Sequence, residues 1–108
     1  MPKFLVTYHG GSAPTPETMP AMMQAFGEWM TAHQGVIVDG GAPVMPAGQV
    51  ATGTPEAQVA IGGFSVLEGD EAAVKAALEA HPFVARGGTL QLNLAIDPAQ
   101  LAQQGYSA

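Results

Sequence analysis

The stretch Thr89-Leu90-Gln91-Leu92-Asn93-Leu94-Ala95-Ile96 decides the fold class. Apolar and mostly polar side chains alternate through it, so as a strand it sets Leu90, Leu92, Leu94 and Ile96 on one face and Thr89, Gln91, Asn93 and Ala95 on the other. A strand with one apolar face belongs to a sheet covered by helices on that side, and the neighbouring sequence supplies them. Upstream, Gly69-Asp70-Glu71 opens a helix, with Asp70 as its cap and Glu71 near its positive end. Ala73, Val74, Ala77 and Leu78 give that helix a buried face, and His81-Pro82 closes it. Residues 58–68 before it read as a strand in which Gly62-Gly63 marks a bulge or a close backbone approach. Residues 42–57 hold Pro43, Pro46, Gly48, Gly53 and Pro55 and form a long irregular connection, with at most a brief strand near 49–51. Loops of such length in a small domain are often functional.

Toward the N-terminus, Val36-Ile37-Val38 is a short strand stopped by Asp39-Gly40-Gly41. A helix begins near Met19, capped by Thr18, with Pro20 in its first turn and Gly35 past its end. At about 100° per residue, Met19, Met22, Met23, Phe26, Trp29, Met30 and His33 share one stripe, while Gln24, Glu28 and Thr31 lie opposite. Lys3 to Tyr8, halted by His9-Gly10-Gly11, is the first strand. The order is thus β-α-β-β-α-β, an α+β chain of ferredoxin-like plan with two helices on one face of a four-stranded antiparallel sheet. It forms one domain over residues 1–97, followed by a tail, 98–108, in which Asp97-Pro98 starts a short helical segment.

The helices leave the other sheet face bare. Gln91 and Asn93, with Thr7 or Tyr8 and Ser65 or Leu67, form that face, which is too apolar in part to stay wet. A second copy placed sheet against sheet would cover it, making a homodimer with a small-molecule cavity at the sheet face. Composition agrees: 47% of the chain is apolar and only 11% charged. The 108 residues suffice for a single core burying roughly two-thirds of the unfolded surface. Nine acidic residues against three basic ones give a net charge of −6, a field that repels nucleic acid and anionic membrane surfaces. The absence of cysteine excludes disulfides, thiolate metal sites and cysteine nucleophiles. The expected setting is the cytoplasm, without a leader or membrane span.

Four segments resemble the YCII-related family, particularly its DGPF-type branch, over nearly the whole domain. They are Lys3-Phe4-Leu5-Val6-Thr7-Tyr8, Gly35-Val36-Ile37-Val38-Asp39-Gly40-Gly41, Gly62-Gly63-Phe64-Ser65-Val66 and His81-Pro82-Phe83-Val84-Ala85-Arg86-Gly87-Gly88-Thr89-Leu90. The resemblance implies a dimeric α/β-barrel, and with it the homodimer. Two departures qualify it: the tetrapeptide naming the branch is replaced by Gly53-Thr54-Pro55-Glu56, and Met19 to Met23 occupy the place where some members carry a histidine paired with an aspartate.

The candidate chemistry rests on few residues. His33, close in sequence to Asp39, is either a general base held by that carboxylate or a packed histidine at a helix end. His9 overhangs the cavity mouth or lies in an exposed loop. Arg86, the only arginine, clamps a ligand carboxylate or phenolate, or pairs within the protein. Trp29, Tyr8, Gln91 and Asn93 join it as ligand contacts, whereas His81 reads as a helix terminator. The methionines fill an irregular core or accept varied apolar ligands. The histidines lack metal-ligand spacing, Gly62-Gly63 does not open a helix as a phosphate cradle would, and the serines have no nucleophile elbow, so neither metal nor cofactor is expected. The leading expectation is a protein binding a small, partly apolar ligand. The alternative is a lyase, isomerase or hydrolase using histidine acid-base chemistry.

Overall fold

A computed structural model describes residues 1–103; the part of the expected tail at 104–108 lies outside the described residues. The elements are β1 (Lys3–Gly10), α1 (Met19–Ala32), β2 (Ile37–Pro43), β3 (Gly63–Glu68), α2 (Glu71–Glu79), a single-turn α3 (Pro82–Ala85), β4 (Gly88–Ala95) and α4 (Pro98–Gln103). The strands form one antiparallel sheet in the order β2-β3-β1-β4, which is the ferredoxin-like topology expected from the sequence.

Alternation along the central strands divides the chain between two faces. Phe4, Val6 and Leu67 point toward the helices and are buried there with Trp29, Val74, Ala77 and Leu78. Trp29 ties the two long helices together, because its indole Nε1 donates to the carbonyl of Ala77 at 2.7 Å. Leu5, Thr7 and His9 of β1 point the other way, opposite Asn93, Gln91 and Thr89 of β4. The bare face therefore carries Thr7, Phe64 and Val66. Tyr8, Ser65 and Leu67 belong to the helix side.

Three sequence expectations differ from the structure. The leucine face of β4 is only half used: Leu90 and Leu92 pack against the core, but Leu94 is 56% exposed and Ile96 50% exposed. The second strand does not stop at Asp39-Gly40-Gly41 but runs on to Pro43 through two register shifts. Gly41 permits this: it sits at φ +77°, and a Cβ there would overlap the Phe64 carbonyl. Conversely, β3 begins only at Gly63, and neither 58–62 nor 49–51 forms a strand. The resulting connection, 44–62, is exposed along almost its whole length. The radius of gyration is accordingly 16.1 Å, against about 13 Å for a compact chain of this size.

The two leucine environments differ measurably. Leu67→Ala, at a fully buried site on a central strand, is expected to lower unfolding stability by roughly 2–5 kcal/mol. Leu94→Ala is expected to cost under about 1 kcal/mol. Urea denaturation checks both, and equal losses would contradict the exposed setting of Leu94 at the end of β4.

Candidate functional site

Burial in α1 is uneven along the apolar stripe. Trp29 is in the core, yet Met19 is 41% and Met23 68% exposed. The stripe splits because the first half of α1 faces a cavity, of about 450 Å³, instead of packed side chains. Met19, Met22, Met23 and Phe26 form its helix wall, the β2 and β3 segments around Gly41 and Gly63 form its sheet wall, and His81, Phe83 and Arg86 close one end with Tyr8. The cavity lies on the helix side of the sheet and within one chain, not at the bare sheet face where the sequence reading put it. The signal was present in the methionines, whose flexible side chains adapt to a space of changing shape. A more open depression of about 300 Å³ between α2 and β4 holds Lys75, which is already bonded to Glu71.

One hydrogen-bonded chain runs through the buried end of this cavity. Phe83 N–H donates to His81 Nδ1 at 2.9 Å, His81 Nε2 meets the Tyr8 hydroxyl at 2.9 Å, Tyr8 meets Ser65 Oγ at 2.7 Å, and Ser65 donates to the Gly40 carbonyl at 2.8 Å. Its two ends are an obligatory donor and an obligatory acceptor, and they fix every proton between them. His81 carries its proton on Nε2 and donates to Tyr8, and Tyr8 donates to Ser65. His81 thus caps α3 through its side chain and remains neutral. Burial, followed by the nearby charge of Arg86, holds its pKa down to about 4. Burial also pushes the Tyr8 phenol above its ordinary value, against the opposing effect of the Ser65 hydrogen bond. Both groups face the cavity uncharged. The His81 ring is packed at 4.3 Å from Trp29 and 5.1 Å from Tyr8, centroid to centroid.

Arg86 differs from the two lysines. Lys3 lies 3.8 Å from Glu68 and Lys75 3.0 Å from Glu71, whereas Arg86 forms no ion pair among the described residues. Its Nη1 donates to Met22 Sδ at 2.8 Å, its guanidinium lies 5.6 Å from the Phe83 ring centroid, and its Nε is buried without a hydrogen-bond partner. Phe83 owes its position to Gly88, where a Cβ would run into the ring.

The other candidate residues lie elsewhere. His33 is the C-cap residue of α1, its ring 5.9 Å from that of Trp29. Asp39 accepts from the Gly41 N–H, and no hydrogen bond or ion pair joins it to His33. His9 occupies the bare sheet face, bonded to Thr7 and to the Ala60 carbonyl. On that face Gln91 donates to Asn93, which donates to the Leu5 carbonyl. Trp29 is spent on the core. Of the sequence candidates, then, the structure brings only Tyr8 and Arg86 together at the cavity, and adds His81, Phe83 and the α1 methionines. Among the described residues, no group of three or more metal-ligating side chains forms and no helix is long and apolar enough to cross a membrane.

Fold and cavity together define an α+β protein of ferredoxin-like topology with a ligand-sized space between its first helix and its sheet. A solved structure of the same fold is the 5-chloro-2-hydroxyhydroquinone dehydrochlorinase TftG from Burkholderia phenoliruptrix AC1100, in complex with 2,5-dihydroxybenzoquinone. The two superpose with a TM-score of 0.57 at 20% identity, over 91% of this chain and 97% of TftG. No family model and no curated protein matches the chain, so the YCII-related resemblance rests on its sequence segments alone.

The neutrality of His81 has a cost that depends on pH. An unfolded histidine takes up a proton near 6.5, while the folded one waits until about 4. The contribution of neutral His81 is therefore complete above about 6.5 and is lost as the pH falls toward 4. Between pH 6.5 and 5, above most carboxylate titration, this removes about 1–2 kcal/mol of stability. Urea unfolding across that window should show the slope in the unmodified protein and a smaller one in His81→Phe. An equal slope in both would mean that His81 titrates normally.

Proposed function

We propose that the chain binds a small, largely apolar molecule in the cavity between α1 and the sheet, without carrying out proton-transfer catalysis. The observation that carries this reading is the closed chain from Phe83 to Gly40. The one histidine at the cavity has both ring nitrogens engaged, its phenol partner is held protonated, and neither ring offers a basic lone pair to a ligand. A general base must reach the proton that it removes. His33 and His9, the sequence candidates for that role, do not line the cavity. The alternative, an acid-base enzyme, draws support from TftG, whose name is that of a dehydrochlorinase and whose bound ligand is a small ring compound. The cavity volume lies within the roughly 300–1,000 Å³ usual for ligand sites.

The bare sheet face belongs to the same proposal as the contact between two copies. Leu5, Phe64 and Val66 supply apolar surface there, and Gln91 and Asn93 supply polar groups that can pair across a two-fold axis. Sedimentation at micromolar concentration is expected to give a dimer, and Val66→Lys, placing a charge at its centre, a monomer. A purely monomeric unmodified protein would remove this part of the reading.

The ligand reading is tested with a panel of small ring compounds that includes benzyl alcohol, benzoate and 2,5-dihydroxybenzoquinone. At least one should raise the thermal midpoint saturably, by an amount that grows with ligand concentration. Met19→Trp, which narrows the space from the α1 side, should weaken that response without unfolding the protein. Steady product formation from any member of the panel would favour the enzymatic alternative, and absence of any response would count against the cavity as a binding site.

A further inference from the structure

We infer that the ligand is an organic monoanion, with its carboxylate, or an acidic phenol or enol oxygen, held by Arg86 and its apolar body laid along Met19, Met23 and Phe26. This rests on the cavity being the binding site and names the class of molecule it takes. The chain bears nine acidic residues, yet none of them lines the cavity. Its single arginine does line it, with a buried Nε that meets no acceptor and an Nη1 whose partner is a thioether sulfur. Thioether sulfur is a weak acceptor, and a carboxylate presents two strong ones in the fork geometry that a guanidinium matches. An anionic oxygen in place of Met22 would strengthen the bond at Nη1, and the second oxygen of a carboxylate would meet Nη2 on the same edge of the guanidinium. In a wall so apolar, the attraction is screened far less than on the surface.

The number of charges follows from the same inventory. Lys3 and Lys75 are engaged with Glu68 and Glu71, so one cation serves the cavity in a molecule of net charge −6. A second negative group on the ligand would find no partner there and would be opposed by the field of the whole protein. The neutral pair Tyr8 and His81 adds no charge of either sign. Binding is nonetheless felt at His81, since neutralising Arg86 removes one of the two causes that depress its pKa.

Calorimetric titration at pH 7 and low salt compares benzyl alcohol, benzoate and phthalate, which carry none, one and two negative charges on one ring. Benzoate is expected to bind the unmodified protein at least about tenfold tighter than benzyl alcohol, with phthalate weaker than benzoate. Arg86→Met should abolish the preference, so that benzoate binds this variant no tighter than benzyl alcohol does. If that variant does not fold, Arg86→Gln, which keeps a polar stem, carries the same comparison. By NMR, His81 should titrate at higher pH in the benzoate complex than in the benzyl alcohol complex, since both ligands exclude water but only one neutralises the guanidinium. Equal affinity for benzyl alcohol and benzoate would overturn the anion assignment and leave the cavity reading intact. A phthalate affinity equal to or above that of benzoate would overturn the single-charge assignment. Failure of all three to bind would remove the cavity reading itself.

Discussion

The hydrogen bond between His81 and Tyr8 is the contact on which the arrangement of the site depends. His81 belongs to the entry of α3 and Tyr8 to β1, and through Ser65 and Gly40 the same line of donors continues into β3 and β2. Four segments far apart in sequence are thereby held to one geometry. Hydrogen bonds of this kind contribute modestly when made, but a buried group deprived of its partner costs more, about 1–3 kcal/mol. Ser65 is fully buried and His81 nearly so. Any shift that breaks one link strands its neighbours, so the line acts as a constraint on position more than as a source of stability.

What lies around this line follows from it. Because His81 points inward, Pro82 begins a single turn whose next residue, Phe83, returns its N–H to the histidine ring. The turn places the Phe83 ring against Gly88 and Gly11, where only the absence of a Cβ leaves room, and brings Arg86 over that ring. The guanidinium charge then contributes to keeping the histidine neutral. Folding of the Pro82–Gly88 segment and the electrostatics of the cavity are therefore one problem: the same turn sets the ring, the cation and the protonation state.

The strand and helix order was legible in the sequence because each element carries its own period: the alternation of β4, the stripe of α1 and the capped, alanine-rich α2. The pairing of β1 between β3 and β4 follows from that order. The site was less legible, for identifiable reasons. Tyr8 and Ser65 each sit on an alternating strand where a shift of one residue exchanges faces, and neither strand has enough polar alternation to fix which face is which. His81 looked like a terminator because it is followed by proline, and it is one, but the atom that caps α3 is on its side chain and its other nitrogen reaches 73 positions back to Tyr8. No local pattern reports such a contact. Arg86 was visible as the only arginine; that Lys3 and Lys75 would be occupied was not. His33 and Asp39 are close in the sequence, but Asp39 turns back on Gly41 in the bulged part of β2, a local bond that the Asp-Gly-Gly run favours.

The split of the α1 stripe shows how one apolar face can serve two ends. A helix of this length presents about four turns, and here its last turn supplies Trp29 to the core while its first turns, rich in methionine, face open volume. Methionine suits that place because it has no strong rotamer preference to defend and no polar group to satisfy. Filling the same space with branched side chains would gain burial and close the cavity. The sequence forgoes that gain over only one half of the helix, on the side where Arg86 stands without an ion pair among the described residues. Apolar surface left unburied and a charge left without a counter-ion are each unfavourable in isolation; the proposed ligand resolves both at once, its apolar body covering the first while its charge meets the second.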